Sequence, residues 1–242
     1  MIEIQGVRSG ADIRAELAQE EAVLLAFSGG KDAICAWLAL RDSGVKVIPY
    51  YMFLVPDLQF VEGTMAYFED YFGTRIARYP HPSLYRWLNS YTFQPPERLA
   101  TIEAAQLPEP DYDMMVDAIC TDHGLTPRKT WVADGVRAAD SIVRRVSIKR
   151  HGPMKWSNHK VSPIWDWQIA DIREAMSTGH GLGWTGDVNP VKWPVDYEWF
   201  DRSFDGLDYR FLAPLKEHAP DDFQRVLDWF PLAEMELIRH GI

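Results

Sequence analysis

Cysteine is nearly missing from this chain. Cys35 and Cys120 stand alone among 242 residues, with no CxxC pair to suggest a zinc knuckle or a redox motif. Two thiols so far apart fit a reducing compartment better than a disulfide framework. Long apolar runs are missing too. Stretches such as residues 22–27 fall far short of a bilayer span, and residues 1–21 hold several acids and no apolar signal core. The expectation is a cytoplasmic protein with no membrane partner. Basic excess is the third absence. Lys and Arg number 25 against 35 Asp and Glu, a net charge of -10, which argues against general nucleic-acid binding.

What is present suits a packed α/β domain. Hydrophobic residues make up 47% of the chain and aromatics 13%, with 10 Trp, ample material for one large core. Residues 9–20 have helical spacing. Residues 22–27, Ala-Val-Leu-Leu-Ala-Phe, form a continuous apolar run of strand length, the pattern of a strand buried on both faces. A helix over 33–43, a strand over 45–53, a helix over 57–72 and a strand over 74–79 follow. This alternation is the signature of a doubly wound parallel sheet.

Residues 80–110 are rich in Pro and aromatics and read as an irregular insertion with short helices. Further elements are expected at 112–123 (helix), 130–134 and 160–164 (strands) and 171–177 (helix). The texture changes from Gly183, where aromatics crowd, and residues 220–241 suggest one or two short helices broken at Pro231. Two units are expected. Residues 1–182 form a nucleotide-binding α/β domain, and 183–242 form an aromatic-rich helical extension packed on it or on a partner subunit, which makes a homodimer plausible.

The chemistry-bearing motif is Ser28-Gly29-Gly30-Lys31-Asp32. It follows the first strand and opens a helix, where α/β folds place ligands. Two glycines allow close approach to phosphate. Successive N–H groups and the helix N-terminus form an anion seat. Ser28 adds a hydroxyl and Lys31 a charge. Asp32 suits pinning the loop or helping to hold a phosphate-bound magnesium ion. This is not a Walker A loop, because Lys31 is followed by Asp32.

A second block spans residues 134–145, Asp-Gly-Val-Arg-Ala-Ala-Asp-Ser-Ile-Val-Arg-Arg, and a third runs Pro163-Ile164-Trp165-Asp166-Trp167 to Asp171-Ile172. Strand, SGGKD and helix together resemble the PP-loop ATP pyrophosphatases of the adenine nucleotide α-hydrolase group. The two later blocks resemble the 3′-phosphoadenylyl sulfate (PAPS) reductase branch. The resemblance covers roughly residues 20–180. It implies a five-stranded parallel sheet, with ATP as ligand, Mg2+ carried on its phosphates, and cleavage to AMP, on an acceptor, and pyrophosphate. By the same resemblance Ser28, Gly29, Gly30, Lys31 and Asp32 hold phosphates, and Gly135 lies near ribose. Arg137 faces the phosphate, helped by Arg144 or Arg145, while Ser141 belongs to the same block. Adenine lies near Phe27, Met52 and Phe53.

Departures qualify the substrate. Ala33 stands where the family has Ser or Thr, so one phosphate-touching hydroxyl is missing. The reductase motif E-C-G-[LI]-H has no counterpart, and Arg239 stands where its nucleophile is wanted. Sulfonucleotide reduction, or sulfate transfer, is therefore the second reading, and a non-catalytic nucleotide-binding module the third.

From Ser141 to Lys160 the local charge reverses. Arg144, Arg145, Lys149, Arg150, Lys155 and Lys160 occur with no acid among them. A mobile lid gripping triphosphate and an anionic co-substrate is the functional reading of this stretch. His81 reads as a structural turn residue, and Cys35 and Cys120 as buried packing residues.

Overall fold

A computed structural model describes residues 1–177 and 204–242. The chain runs α1 (Gly10–Leu17), β1 (Val23–Ala26), α2 (Lys31–Asp42), β2 (Val47–Phe53), α3 (Gln59–Phe72) and β3 (Ala77–Pro80). Then come α4 (Pro82–Asn89), α5 (Pro96–Ala105), α6 (Tyr112–Asp122), β4 (Val132–Ala133) and α7 (Ile142–His151). A short hairpin, β5 (Met154–Lys155) and β6 (Lys160–Val161), precedes α8 (Ile169–Ser177). The C-terminal part holds α9 (Tyr209–His218), α10 (Pro220–Trp229) and α11 (Glu234–Arg239).

The strands form one six-stranded sheet in the order β3-β2-β1-β4-β6-β5. β3, β2, β1, β4 and β6 are parallel, and β5 adds an antiparallel edge to β6. The expected parallel strands are therefore present, with one strand more than the resemblance implies. β5 and β6 are two residues each, too short to leave a periodic signal.

β1 is central because both its faces are apolar. Val23 and Leu25 point into the main core with Ile13, Leu17, Ile34 and Phe68. Leu24 points the other way, against Tyr50, Val132, Ile119 and Cys120. Helices cover the first face heavily. The second face has a small core of which α6 supplies the helical part, and this asymmetry leaves room near the strands' carboxyl ends.

The described C-terminal helices share the main core through Leu212, Leu215, Phe223, Val226, Phe230 and Leu237. Asp222 of α10 accepts hydrogen bonds from Gln59 N (2.6 Å) and Phe60 N (3.0 Å), so it caps α3, whose own N-cap Leu58 supplies no side-chain bond. The expected boundary at 182/183, and Trp184, Trp193, Tyr197, Trp199 and Phe200, lie outside the described residues. α9 had no counterpart in the sequence reading, because Pro214 interrupts its pattern.

The basic stretch differs from the expected lid. Residues 142–151 form α7, whose N-cap Ser141 accepts from Arg144 N at 3.1 Å. Ser141 therefore serves as a helix cap. No helix among the described residues is long and apolar enough to cross a membrane.

Candidate functional site: a two-part cleft at the strand ends

β1 ends at Ala26, and the chain turns through Ser28-Gly29-Gly30 into α2. Gly29 holds φ +76, a conformation that L side chains rarely adopt, and a Cβ there would meet Thr64 Cγ2 at 3.1 Å. Gly30 is the N-cap of α2 and provides no side-chain cap. First-turn N–H groups of α2 are therefore left without an intrahelical acceptor. The loop is thus shaped as the sequence suggests, by glycine at the position where other residues are strained.

Two cavities meet at this turn. A polar compartment of about 220 Å³ is lined by Ser28, Gly30, Lys31, Asp32, Ala33, Gly135, Val136 and Arg144. A larger, mostly apolar chamber of about 350 Å³ lies over the thinly covered face. Its lining includes Phe27, Tyr50, Met52, His81, Tyr112, Asp134, Lys160 and Asp205. Ala26 and Ser28 line both, so the two form one cleft at the carboxyl ends of β1, β2 and β4.

Gly135 is held to glycine by the loop itself. A Cβ would lie 2.7 Å from Asp32 C and 2.9 Å from Ala33 N, both backbone atoms. This close approach clamps β4 against the start of α2, and Gly135 also lines the polar compartment.

Arg137 stands behind the loop, away from the phosphate-facing position expected of it. Its side chain is 7% exposed, with Nε 2.9 Å from Asp32 Oδ1 and Nη2 2.7 Å from Asp140 Oδ1. Nε and Asp32 Oδ1 are both buried without an aligned hydrogen bond, so that contact is ionic. Arg137 lines neither cavity. Arg144 does line the polar one, and pairs with Asp140 as well.

Asp32 is similarly engaged, with Oδ2 3.1 Å from Lys31 Nζ and Oδ1 beside Arg137. Both oxygens already face cations, which favours the loop-pinning role over metal ligation. Among the described residues, no three His, Cys, Asp or Glu side chains gather as a metal site. Phe53 and Arg145 line neither cavity; Met52, one residue before Phe53, lines the chamber. Of the other basic residues, Lys149 and Arg150 lie with Arg8 and Trp156 around a separate cavity of about 310 Å³.

Several chamber residues carried no sequence signal. Tyr50 and Tyr112 come from β2 and α6, and Asp205 from the C-terminal part. His81 is more than a turn residue. It caps α4, its Nδ1 accepting from Ser83 N at 3.0 Å, while Nε2 lies 2.6 Å from Tyr112 Oη. Asp134 is buried at the end of β4. Burial raises its pKa, against hydrogen bonds from Ser162 and Val136 N and the charges of Lys155 and Arg144. A desolvated carboxyl in a cleft is a common mark of a functional site. Both thiols are buried, and burial pushes both up from the usual range.

Fold and cleft together define a doubly wound, mostly parallel α/β protein with a ligand-sized cleft at its strand ends. No family model and no curated protein matches the chain. Among solved structures, the crystal structure of a predicted subunit of tRNA methyltransferase from Methanocaldococcus jannaschii is similar at 14% identity and a TM-score of 0.36. That similarity spans 84% of this chain and 92% of that one.

Proposed function

We propose that this chain is an adenine nucleotide α-hydrolase-like protein that binds ATP and cleaves it between the α and β phosphates, passing AMP to an acceptor. The observation that carries the reading is the shared wall at Ala26 and Ser28, which joins an apolar chamber to a glycine-loop compartment. An adenosine triphosphate has the same two-part chemistry: a flat apolar base joined to a polyanion.

In this reading the first-turn N–H groups of α2, Ser28, Lys31 and Arg144 take the phosphates. The base lies in the chamber against Phe27 and Met52. Magnesium travels on the phosphates, since the carboxylate of Asp32 is occupied by Lys31 and Arg137. Arg137 acts as a positioning residue that sets the loop, and Arg144 takes over the charge-stabilising role. Sulfonucleotide reduction needs an accessible thiolate, and the buried Cys35 and Cys120 do not favour it.

Calorimetry with ATP and magnesium, together with a pyrophosphate-release assay, tests the proposal. Binding should require the loop, and Lys31→Ala should weaken it tenfold or more, about 1.4 kcal/mol or above. Unchanged ATP affinity in Lys31→Ala would sink the phosphate assignment. A second reading, binding without turnover, is favoured by Ala33 and by the withdrawal of Arg137 from the cleft. Tight ATP binding with no pyrophosphate across hydroxyl, amine and carboxylate acceptors would select it.

A further inference from the structure

Asp134 is an unusual residue for an apolar chamber. Its two hydrogen bonds, from Ser162 Oγ at 2.7 Å and Val136 N at 3.0 Å, both fall on Oδ1. Among the described residues, Oδ2 has no hydrogen-bond or ion-pair partner. One oxygen is therefore anchored and the other left open, on a side chain that lines the chamber. A buried carboxyl that keeps an unused acceptor is costly unless something donates to it.

Its place along the cleft narrows what that donor is. Gly135 and Val136, the next two residues, line the loop compartment, and Ser28 lines both cavities. Asp134 therefore sits at the partition between them. The argument rests on the nucleotide reading above. With phosphates in one compartment and the base in the other, covalent connectivity leaves only the sugar at the partition. A ribose presents two hydroxyl donors there, and a carboxylate is an acceptor without donors of its own.

We propose that Asp134 is the sugar-reading residue of the cleft: Oδ2 accepts a hydrogen bond from a ribose hydroxyl, which selects ribonucleotides with a free 2′,3′-diol. Two exclusions follow. A deoxyribose that lacks the contacted hydroxyl leaves the buried carboxyl unpaired. A 3′-phosphate brings negative charge against a carboxylate in a desolvated site, where like charges repel strongly. The cleft then favours ATP over 3′-phosphorylated adenylates, which separates this chain from an enzyme that takes PAPS.

Isothermal titration calorimetry on the full chain tests the proposal with ATP, 2′-deoxy-ATP and 3′-deoxy-ATP, and with AMP against adenosine 3′,5′-bisphosphate. The wild-type chain should bind ATP about tenfold or more tightly than at least one deoxy analogue, as expected for a hydrogen bond to a charged group. It should also prefer AMP to the bisphosphate. Asp134→Ala should bring the ATP/deoxy-ATP ratio close to one. Asp134→Asn, which retains an acceptor for Ser162 and Val136, should relax the rejection of the 3′-phosphate, and it carries the test if the alanine variant melts early. Equal wild-type affinity for ATP and both deoxy analogues overturns the proposal, as do wild-type ratios in both variants. Absence of any ATP binding by the wild-type chain instead overturns the nucleotide reading, and this inference with it.

Discussion

Arg137 Nε stands 2.9 Å from Asp32 Oδ1, and that contact ties the two halves of the cleft together. Asp32 belongs to the loop after β1, and Arg137 to the turn after β4. Through Asp140 at 2.7 Å the same guanidinium also reaches the approach to α7. Removing Arg137 leaves two carboxylates without their shared buried cation. Arg137→Ala should therefore cost about 3–5 kcal/mol in urea denaturation, the range for breaking one side of a buried pair. A cost below about 1 kcal/mol would show that the guanidinium is not a structural tie.

The glycine at 135 makes a sharper prediction, because its neighbours cannot yield. An added Cβ would lie 2.7 Å from Asp32 C and 2.9 Å from Asp32 O, which are main-chain atoms of the loop and not the far end of a flexible side chain. Gly135→Ala should lower stability by about 1–3 kcal/mol, as overpacking does, and weaken nucleotide binding by displacing the start of α2. A variant with wild-type melting temperature and affinity would mean that the clamp is loose.

These two positions show how far the sequence could be read. The apolar run of β1 and the glycines at 29 and 30 announce a buried strand, a turn and a helix, because each is a local requirement. Gly135 was also identifiable, although its reason is contact with the loop backbone. Arg137 was misread because an arginine in a phosphate-site motif looks the same whether it faces the ligand or the loop. The chamber was illegible as a unit. Tyr50, His81, Tyr112, Asp134 and Asp205 come from distant segments, and only the fold assembles them. α7 also hid, since Ile142, Val143 and Val146 are solvent-exposed and leave no core-facing stripe for periodicity to detect.

His81 predicts a pH dependence of stability. Burial first, and then the charge of Arg86, lower its pKa below the ordinary 6.5, while Asp205 opposes them. Nδ1 accepts from Ser83 N, so the neutral ring carries its proton on Nε2 and donates to Tyr112 Oη. Between the lowered folded pKa and 6.5 the unfolded chain holds a proton that the folded chain lacks. Stability from this group is therefore full above pH 6.5 and is lost as pH falls through the folded pKa. Melting temperatures from pH 8 to pH 5 should drop further for the wild type than for His81→Asn, which can still cap α4 without titrating. Parallel curves would remove His81 from the account.

The last prediction concerns a link between the C-terminal helices and the phosphate loop. Asp222 of α10 is 2% exposed and accepts from both Gln59 N and Phe60 N at the start of α3. α3 in turn carries Thr64 and Met65, the side chains that a Cβ on Gly29 would meet at 3.1 and 3.7 Å. A chain of direct packing therefore runs from α10 through the first two turns of α3 to the loop. Asp222→Ala orphans two buried donors at about 1–3 kcal/mol each and frees the first turn of α3. It should lower stability by about 2–4 kcal/mol and speed hydrogen exchange at α3's early amides. At temperatures where the variant is still folded, it should also reduce ATP affinity. Asp221→Ala, a neighbouring change on the exposed side of α10, should do none of these. Loss of stability with unchanged affinity would confine Asp222 to capping and cut the proposed route between the C-terminal helices and the cleft.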